Sequence, residues 1–321
     1  MGLAFFDGGE YNSTRQSSER GTLRGVEDDM RSNLAELMAA HESSFSKGQR
    51  RIAQFIQTRY DEAAFMTAGR LGQEVGVSES TVVRFATELG FDGYPGLQKA
   101  LQELIRSKLT IVQRMEVARA QMSDARVLHD VTAGDIQNIR RTLEELDAAD
   151  FDRAVETVVS ARQLYVFGAG SCKSLAGFLI HYLQMLLGAK AHQLTASSQS
   201  DIYGELLDIG PEDAVLIISF PRYSSKAAKT LEYARSKGAR VVALTDSRLS
   251  PIASGADALL LAHSGMASVV DSLVAPLSVI NALIVAVSLR TLEQNRQKLE
   301  ELERLWDDCQ VYEHMEETEK G

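Results

Sequence analysis

The chain has 321 residues, 45% hydrophobic and 24% charged, which suits two or three domains with real cores and excludes a fibrous or low-complexity architecture. Its formal charge of -10 argues against a protein that coats nucleic acid non-specifically. Between Ser46 and Lys108, however, nine Lys/Arg stand against seven Asp/Glu, so any DNA contact has to come from a small patch within a mildly basic segment.

The start, Met1-Gly2-Leu3-Ala4-Phe5-Phe6, has no basic n-region, no sustained apolar run and no Ser or Thr at position six, which disfavours a signal peptide and N-myristoylation. Residues 1 to about 33, within an arm taken as 1–40, are rich in Gly, Ser, Arg, Glu and Asn without hydrophobic period. They read as a flexible arm, with a short helix starting near Asn33 on Leu34, Leu37 and Met38.

Residues 41–122 read as an all-α helix-turn-helix domain with a connector. Ser46 and Gln49 form a capping box, and Ile52, Phe55 and Ile56 supply the buried stripe that follows. After a turn near Tyr60, Ala63, Ala64 and Phe65 continue a short apolar helix, and Thr67 caps a third with Ala68, Leu71 and Val75. Gly76 can end that helix in the left-handed conformation, and Ser78 can N-cap the next. Val82, Phe85, Ala86 and Leu89 then fall at i, i+3, i+4 and i+7, one apolar stripe. The opposite face carries Ser80, Thr81, Arg84 and Thr87, small hydrogen-bonders plus one guanidinium, a set able to read base edges and phosphates. An ordinary surface helix would satisfy the same pattern. Gly90 closes the helix with Phe91 folded back on Phe85 or Ala86, and Gly93-Tyr94-Pro95 opens another with Leu97, Leu101, Leu104 and Ile105 that runs on toward Met115.

A second domain, residues 123–306, opens with two helical stripes: Ile136, Ile139, Leu143 and Leu146, then Val155, Val158 and Val159. Strands and helices then alternate in the order of a parallel sheet of about five strands flanked by helices. The strands are Leu164 to Phe167, Ala191 to Leu194, Ala214 to Phe220, Val241 to Thr245 and Ala258 to Leu261. A long helix begins near Asp271. Its longest apolar run, Leu273 to Leu289, is interrupted by Pro276 and Asn281 and falls short of a membrane span, so a soluble, cytoplasmic protein is expected. Beyond it, Leu292, Leu299 and Trp306 recur every seven residues, as do Asn295 and Leu302; two heptads fit a helix packed on its own domain better than a coiled coil. Residues 307–321, with Asp307, Asp308, Glu313, Glu316, Glu317 and Glu319, read as a solvated acidic tail. Cys172 and Cys309 lie far apart without CxxC spacing, which indicates a reducing compartment and neither a disulfide framework nor a metal site.

In a parallel α/β sheet, ligands bind beyond the carboxyl ends of the strands. Gly168 and Gly170 let backbone approach a ligand, and Ser171 at the next helix start offers a hydroxyl and N–H groups to a phosphate. The turn Gly168-Ala-Gly-Ser-Cys-Lys173 lacks the third glycine of a dinucleotide fingerprint, which disfavours NAD, and no cofactor is expected. After the third strand, Ser219, Arg222, Ser224 and Ser225 gather hydroxyls and a guanidinium at another helix start, the guanidinium suited to an anion with several oxygens. Ser197 and Ser198 can line the same cleft, though capping of the following helix explains them equally well.

The whole pattern resembles the RpiR family of bacterial transcription regulators, which join an N-terminal helix-turn-helix domain to a C-terminal sugar isomerase (SIS) domain that senses phosphorylated sugars. The resemblance covers about residues 45 to 290. Its most specific part is Val77-Ser-Glu-Ser-Thr-Val-Val-Arg-Phe85 with Leu89-Gly-Phe-Asp-Gly-Tyr94, close to the family's recognition-helix signature, which adds Ser78 and Tyr94 to the DNA-binding candidates. The SIS part is carried by Val166-Phe-Gly-Ala-Gly-Ser171, the strand through Ser219, and Ala243-Leu-Thr-Asp246 followed by Ser250-Pro251. The resemblance implies that Ser171, Ser219 and the hydroxyls after it hold a phosphate. Where the family usually has Ser-Gly-x-Thr, this chain has Pro221-Arg-Tyr-Ser224, so the expected effector is a phosphosugar or another anionic metabolite.

SIS domains also occur in sugar-phosphate isomerases, the alternative reading. Isomerisation needs a general base in a cleft, and His181, His192 and Asp271 are the candidates. None has a persuasive setting, and an isomerase has no use for a helix-turn-helix, so no enzyme is expected. The expected partners are double-stranded DNA with a palindromic operator, a small anionic metabolite, and a second copy of the chain in a homodimer or homotetramer.

Overall fold

In a computed structural model, residues 37–106, 109–122 and 124–312 are described. The arm up to residue 36 and most of the acidic tail, with Glu313, Glu316, Glu317 and Glu319, lie outside them. Residues 37–40 form a helical turn rather than free arm, and Met38, 1% exposed, joins the first core.

Helix α1 (Lys47–Ala63) begins with the expected capping box: Gln49 N–H donates to Ser46 Oγ, and Ser46 N–H donates to Gln49 Oε1. It continues past Tyr60 with a kink at Arg59 (φ -138°, ψ 44°) instead of breaking into two helices. Ala63 and Ala64 are buried as the period requires, whereas Phe65 is exposed. Thr67 caps α2 (Ala68–Val75) by accepting from Arg70 N–H, and Gly76 closes it at φ 67°, a conformation a Cβ would strain. α3 (Glu79–Glu88) buries Val82, Phe85, Ala86 and Leu89. It ends in a Schellman close, with Phe91 N–H donating to Ala86 C=O and Gly90 N–H to Thr87 C=O. α4 (Gly93–Arg106) packs Leu97 and Leu101 against this core, and Phe45 and Phe85 meet at 5.1 Å between ring centroids.

The connector is not one helix. Thr110 and Gln113 make a second capping box, and α5 (Ile111–Gln121) is a separate element. A Ser/Thr with Gln three residues on stops one helix and starts another, which overrides the apolar recurrence that runs through it. α5 is pinned to the second domain by Arg114, 2% exposed, which forms an ion pair with Asp271 and donates through Nε to Ser268 C=O at 3.0 Å.

After α6 (Val127–Glu145) and α7 (Ala148–Ser160) comes a five-stranded parallel sheet of order β2-β1-β3-β4-β5. The strands are β1 (Leu164–Gly168), β2 (Ala191–Gln193), β3 (Ala214–Ile218), β4 (Arg240–Thr245) and β5 (Ala258–Leu261). Successive side chains leave a strand on opposite faces. Leu164, Val166, Leu216, Ile218, Val242 and Leu244 accordingly meet α7, α8 (Cys172–Leu187) and α11 (Val274–Asp308), while Val215, Ile217, Val241 and Ala243 meet α9 (Gln199–Glu205) and α10 (Ser225–Ser236). Both faces of β3 are covered, which is why it reads as a continuous apolar run.

Two helical stripes depart from expectation. On α6, Ile136, Ile139 and Leu143 are exposed, the last at 80%, and on α11 no residue beyond Thr291 is fully buried. Asn295, Leu299, Leu302 and Trp306 of the heptad pattern are half-buried and Leu292 is exposed. Helical period marks an apolar face without naming what covers it. The two domains also share a core: Tyr223 and Leu249, from the loops after β3 and β4, are buried in the helix-turn-helix cluster.

Candidate functional site

The first candidate surface is α3. Ser80, Arg84 and Thr87 are exposed and Thr81 is half-buried, on the face away from Val82 and Phe85. Their present partners are local: Arg84 Nε donates to Ser80 C=O at 3.2 Å, and Thr87 Oγ1 donates to Val83 C=O at 3.2 Å. Ser78 sits at the N-cap in extended conformation but makes no capping hydrogen bond. Its hydroxyl lies 2.9 Å from Ser80 Oγ and 2.8 Å from Thr81 Oγ1. The capping expectation for Ser78 is therefore corrected, because three adjacent hydroxyls satisfy one another in place of the helix N–H groups. An exposed hydroxyl cluster at a helix start can exchange such bonds for bonds to a phosphate or a base edge.

Tyr94 is a second correction. It is 3% exposed, and its hydroxyl donates within 3.0 Å of both Ala63 C=O and Met66 C=O, so it ties α4 to the end of α1 instead of facing DNA. Burial pushes its hydroxyl pKa up to about 12. Gln98 and Gln102 donate to Met66 C=O and Ala64 C=O from the same helix. This row of donors is the structural reason a polar side chain recurs on the buried side of α4.

The second candidate site lies at the carboxyl edge of the sheet. With strand order 2-1-3-4-5, the chain reverses direction between β1 and β3, which opens a crevice at their carboxyl ends. Gly168 pairs with Ile218 across that junction, so the loops holding Ser171 and Ser219 are neighbours. Gly168 has a packing reason to lack a side chain: a Cβ there would lie 2.3 Å from Cys172 O. Gly170 is left-handed at φ 58°. Ser171 is exposed at the start of α8, where the N–H groups of Cys172, Lys173 and Ser174 each bond the carbonyl three residues back at 3.1–3.2 Å. Burial raises the Cys172 thiol pKa to about 11, against the pull of hydrogen bonds from the Phe220 backbone and Ser171. The same thiol thus links the two loops.

Ser219 is 3% exposed and Arg222 is exposed beside it. Ser224 accepts from Lys226 N–H at 3.2 Å as N-cap of α10, which Ser225 begins. Ser198 accepts from Asp201 N–H at 3.1 Å as N-cap of α9, and Ser197 C=O receives Lys226 Nζ. Lys226 therefore draws the loop after β2 and the loop after β3 together. Two groups were not singled out by sequence. Lys226 is one; the other is Gln199, whose side-chain amide has both atoms buried without a hydrogen-bond partner among the described residues. A buried amide without partners is costly unless something else completes it. A polar residue directly after a capping Ser-Ser pair was the available signal.

The three candidate bases have other settings. His181 is exposed on α8 against Tyr182; His192 is exposed on β2, with Nε2 2.7 Å from Gln163 Oε1 before β1; Asp271 pairs with Arg114. A buried histidine that sequence reasoning passed over, His263, sits between the domains.

Two family models match the chain: the helix-turn-helix domain of the rpiR family over residues 32–108 and the SIS domain over residues 157–286. Among curated relatives, the HTH-type transcriptional regulator HexR of Pseudomonas aeruginosa is 26% identical over 265 residues, covering 80% of this chain and 90% of the relative. RpiR of Escherichia coli is 22% identical over 266 residues, covering 81% and 88%. The sugar isomerase domain of an RpiR transcription factor from Sphaerobacter thermophilus shares 30% identity, with a TM-score of 0.53, over 56% of this chain and 99% of that one. The NanR protein of Vibrio vulnificus, solved in complex with ManNAc-6P, has the same fold at 22% identity, with a TM-score of 0.52, over 86% and 98%. Matched along both its helix-turn-helix and its SIS part, the chain belongs to the RpiR family of helix-turn-helix transcriptional regulators.

Proposed function

We propose that the regulator reads its operator through Ser80, Thr81, Arg84, Thr87 and the Ser78 hydroxyl, and that its SIS domain senses a phosphosugar or related anionic metabolite at Gly168, Gly170, Ser171, Ser219, Arg222, Ser224 and Ser225, with Ser197 and Ser198 at the rim. The observation that carries the sensing reading is that the loops holding these hydroxyls are neighbours at the carboxyl ends of β1 and β3, with Lys226 Nζ donating to Ser197 C=O across two of them. The ManNAc-6P bound by NanR supports a phosphorylated sugar as the ligand class. His181 and His192 are exposed on α8 and β2, and Asp271 is paired with Arg114, which favours sensing without turnover over isomerisation.

The protein acts in the cytoplasm, where its DNA is, as a homodimer or homotetramer. The exposed apolar residues Leu128, Ile136 and Leu143 of α6 and Val285, Leu289 and Leu292 of α11 offer faces for a second copy. Pairing subunits fixes the spacing of two recognition helices and predicts a palindromic operator. An effector changes operator affinity only so far as it favours one arrangement of those helices over another. Because Tyr223 sits in the helix-turn-helix core, the loop that would hold the effector is already joined to the DNA-reading domain.

Operator titrations with Arg84→Ala test the reading surface. The expected loss is about 1–3 kcal/mol with ligand binding intact, and unchanged operator affinity would remove Arg84 from the interface. A thermal-shift screen of phosphosugars and other anionic metabolites tests the sensor. The expected result is a hit that Ser171→Ala or Arg222→Ala abolishes; hits surviving both place the ligand elsewhere.

A further inference from the structure

The two domains meet beyond the carboxyl ends of β4 and β5, and the contact there is polar at its centre. Lys99 Nζ of α4 lies 2.6 Å from His263 Nδ1, and His263 Nε2 lies 2.7 Å from Glu145 Oε2 at the end of α6. His263 is 7% exposed, and its backbone N–H donates to Thr142 Oγ1 at 2.8 Å, so the ring is held from the SIS side. An ammonium can only donate and a carboxylate can only accept. The imidazole that fits between them is the neutral one, with Nδ1 accepting from Lys99 and Nε2–H donating to Glu145. A second proton on the ring would set an N–H against the ammonium.

Beside the three side chains lies a cleft of about 390 Å³ between the domains. Gly90, Phe91 and Pro95 line one wall, and Asp246 and Arg248 line the other. Water and protons therefore have a route to the ring. The same cleft touches the Schellman turn that ends the recognition helix and the loop whose Asp246 accepts from Tyr223 Oη at 2.6 Å.

We propose that Lys99, His263 and Glu145 form an acid-sensitive latch, which seats the helix-turn-helix domain on the SIS domain while the imidazole is neutral and releases it when the ring takes a proton. This goes beyond effector sensing, because it sets domain docking without any ligand. The groups facing the ring are Lys99 from α4 and Arg141 and Glu145 from α6, with Asp246 and Arg248 on the cleft wall and Asp92 at its edge. Burial pushes the His263 pKa down to about 4, the Lys99 charge and then Arg141 push the same way, and Glu145 opposes them. Undocking removes Lys99 and lets water in, so the ring's pKa rises toward its ordinary 6.5. The latch is therefore at full strength above pH 6.5 and is lost as pH falls from 6.5 toward 4, by up to about tenfold in the docking equilibrium per pH unit.

Two measurements on the full chain test this. Histidine-selective NMR should show the His263 ring neutral from pH 8 to 5, and Lys99→Met should move its titration upward; a wild-type ring titrating near 6.5, or one that Lys99→Met does not shift, would overturn the latch. Hydrogen exchange, corrected for its intrinsic pH dependence, should show protection of residues 95–101 and 261–264 falling by about fivefold between pH 6.5 and 5.5. His263→Gln keeps a donor and an acceptor but does not titrate, and should hold protection constant across that range. An equal fall in His263→Gln, or none in the wild type, refutes the proposal. Neither measurement uses operator or effector, so either reading can fail without the other.

Discussion

The polar face of α3 and the proposed effector cleft are built from the same residue types, Ser, Thr, Arg and Gly, but they are assembled differently. On α3 the polar face comes from one stretch, Ser78 to Thr87, and helical geometry alone sets it opposite Val82 and Phe85. In the cleft, Ser171, Ser198, Ser219 and Ser224 come from three loops that leave the same end of the sheet as neighbours only because strand order places β1 between β2 and β3. A local face survives as long as its helix is seated, whereas a topological site depends on every backbone contact that holds neighbouring loops in register.

The largest expected effect attacks the seating of the local face. Phe85 is fully buried in the first core, so Phe85→Ala should cost about 3–5 kcal/mol in chemical denaturation, with operator binding lost and the SIS sheet's far-UV signal retained at low denaturant. A cost below about 1 kcal/mol would mean that the recognition helix is held by something other than this core. Gly168→Ala attacks the topological site next. Its Cβ would meet backbone, Cys172 O at 2.3 Å, rather than a movable side chain, and a loss of about 3 kcal/mol by urea midpoint is expected. Full stability in that variant would show that the β1–α8 turn relaxes freely.

Tyr94→Phe distinguishes a DNA contact from a structural tie. Removing the hydroxyl leaves the Ala63 and Met66 carbonyls with one donor each, Met66 N–H and Gln98 Nε2, and should cost about 0.5–1.5 kcal/mol of stability while leaving operator affinity unchanged. Weaker operator binding at unchanged stability would return Tyr94 to the interface. The smallest effects concern the amino edge of the sheet and the thiols. Burial pushes the Asp213 carboxyl up, but the hydrogen bonds from Arg162 Nε and Nη2, at 2.9 and 2.7 Å, and from the Gly210 and Gln163 N–H groups outweigh it and hold its pKa below the usual carboxylate value. The stability this supplies is present above the ordinary carboxylate pKa and is lost as pH falls below it, so Asp213→Asn should flatten the acid limb of a stability-against-pH curve. Cys309 is exposed and Cys172 buried with a raised pKa, so alkylation of the native protein, read by mass spectrometry, should stop at one thiol.

Much of the helix-turn-helix domain was legible because its signals are short-range. The Ser46–Gln49 box, the left-handed Gly76 and the Gly90–Phe91 close each involve residues within a turn or two, and each forms as the spacing implies. Burial was less legible: Phe65 here and Ile136, Ile139 and Leu143 on α6 are apolar at helical spacing yet exposed, and Tyr94 carries a polar tip yet is buried. Period says that residues share a face, not what lies opposite it.

The sequence by itself determined the order of helices and strands, the buried apolar run of β3, and the polar face of α3, because each depends on dihedral preference and period within one element. Only the tertiary structure decided that Lys226 joins two loops, that the Gln199 amide is buried without a partner among the described residues, that Tyr223 leaves the loop after β3 for the helix-turn-helix core, and that Lys99 reaches His263 across 164 positions of chain. Those contacts depend on which surfaces are brought together when the domains close, and long-range packing free energy is encoded in no single window of the chain.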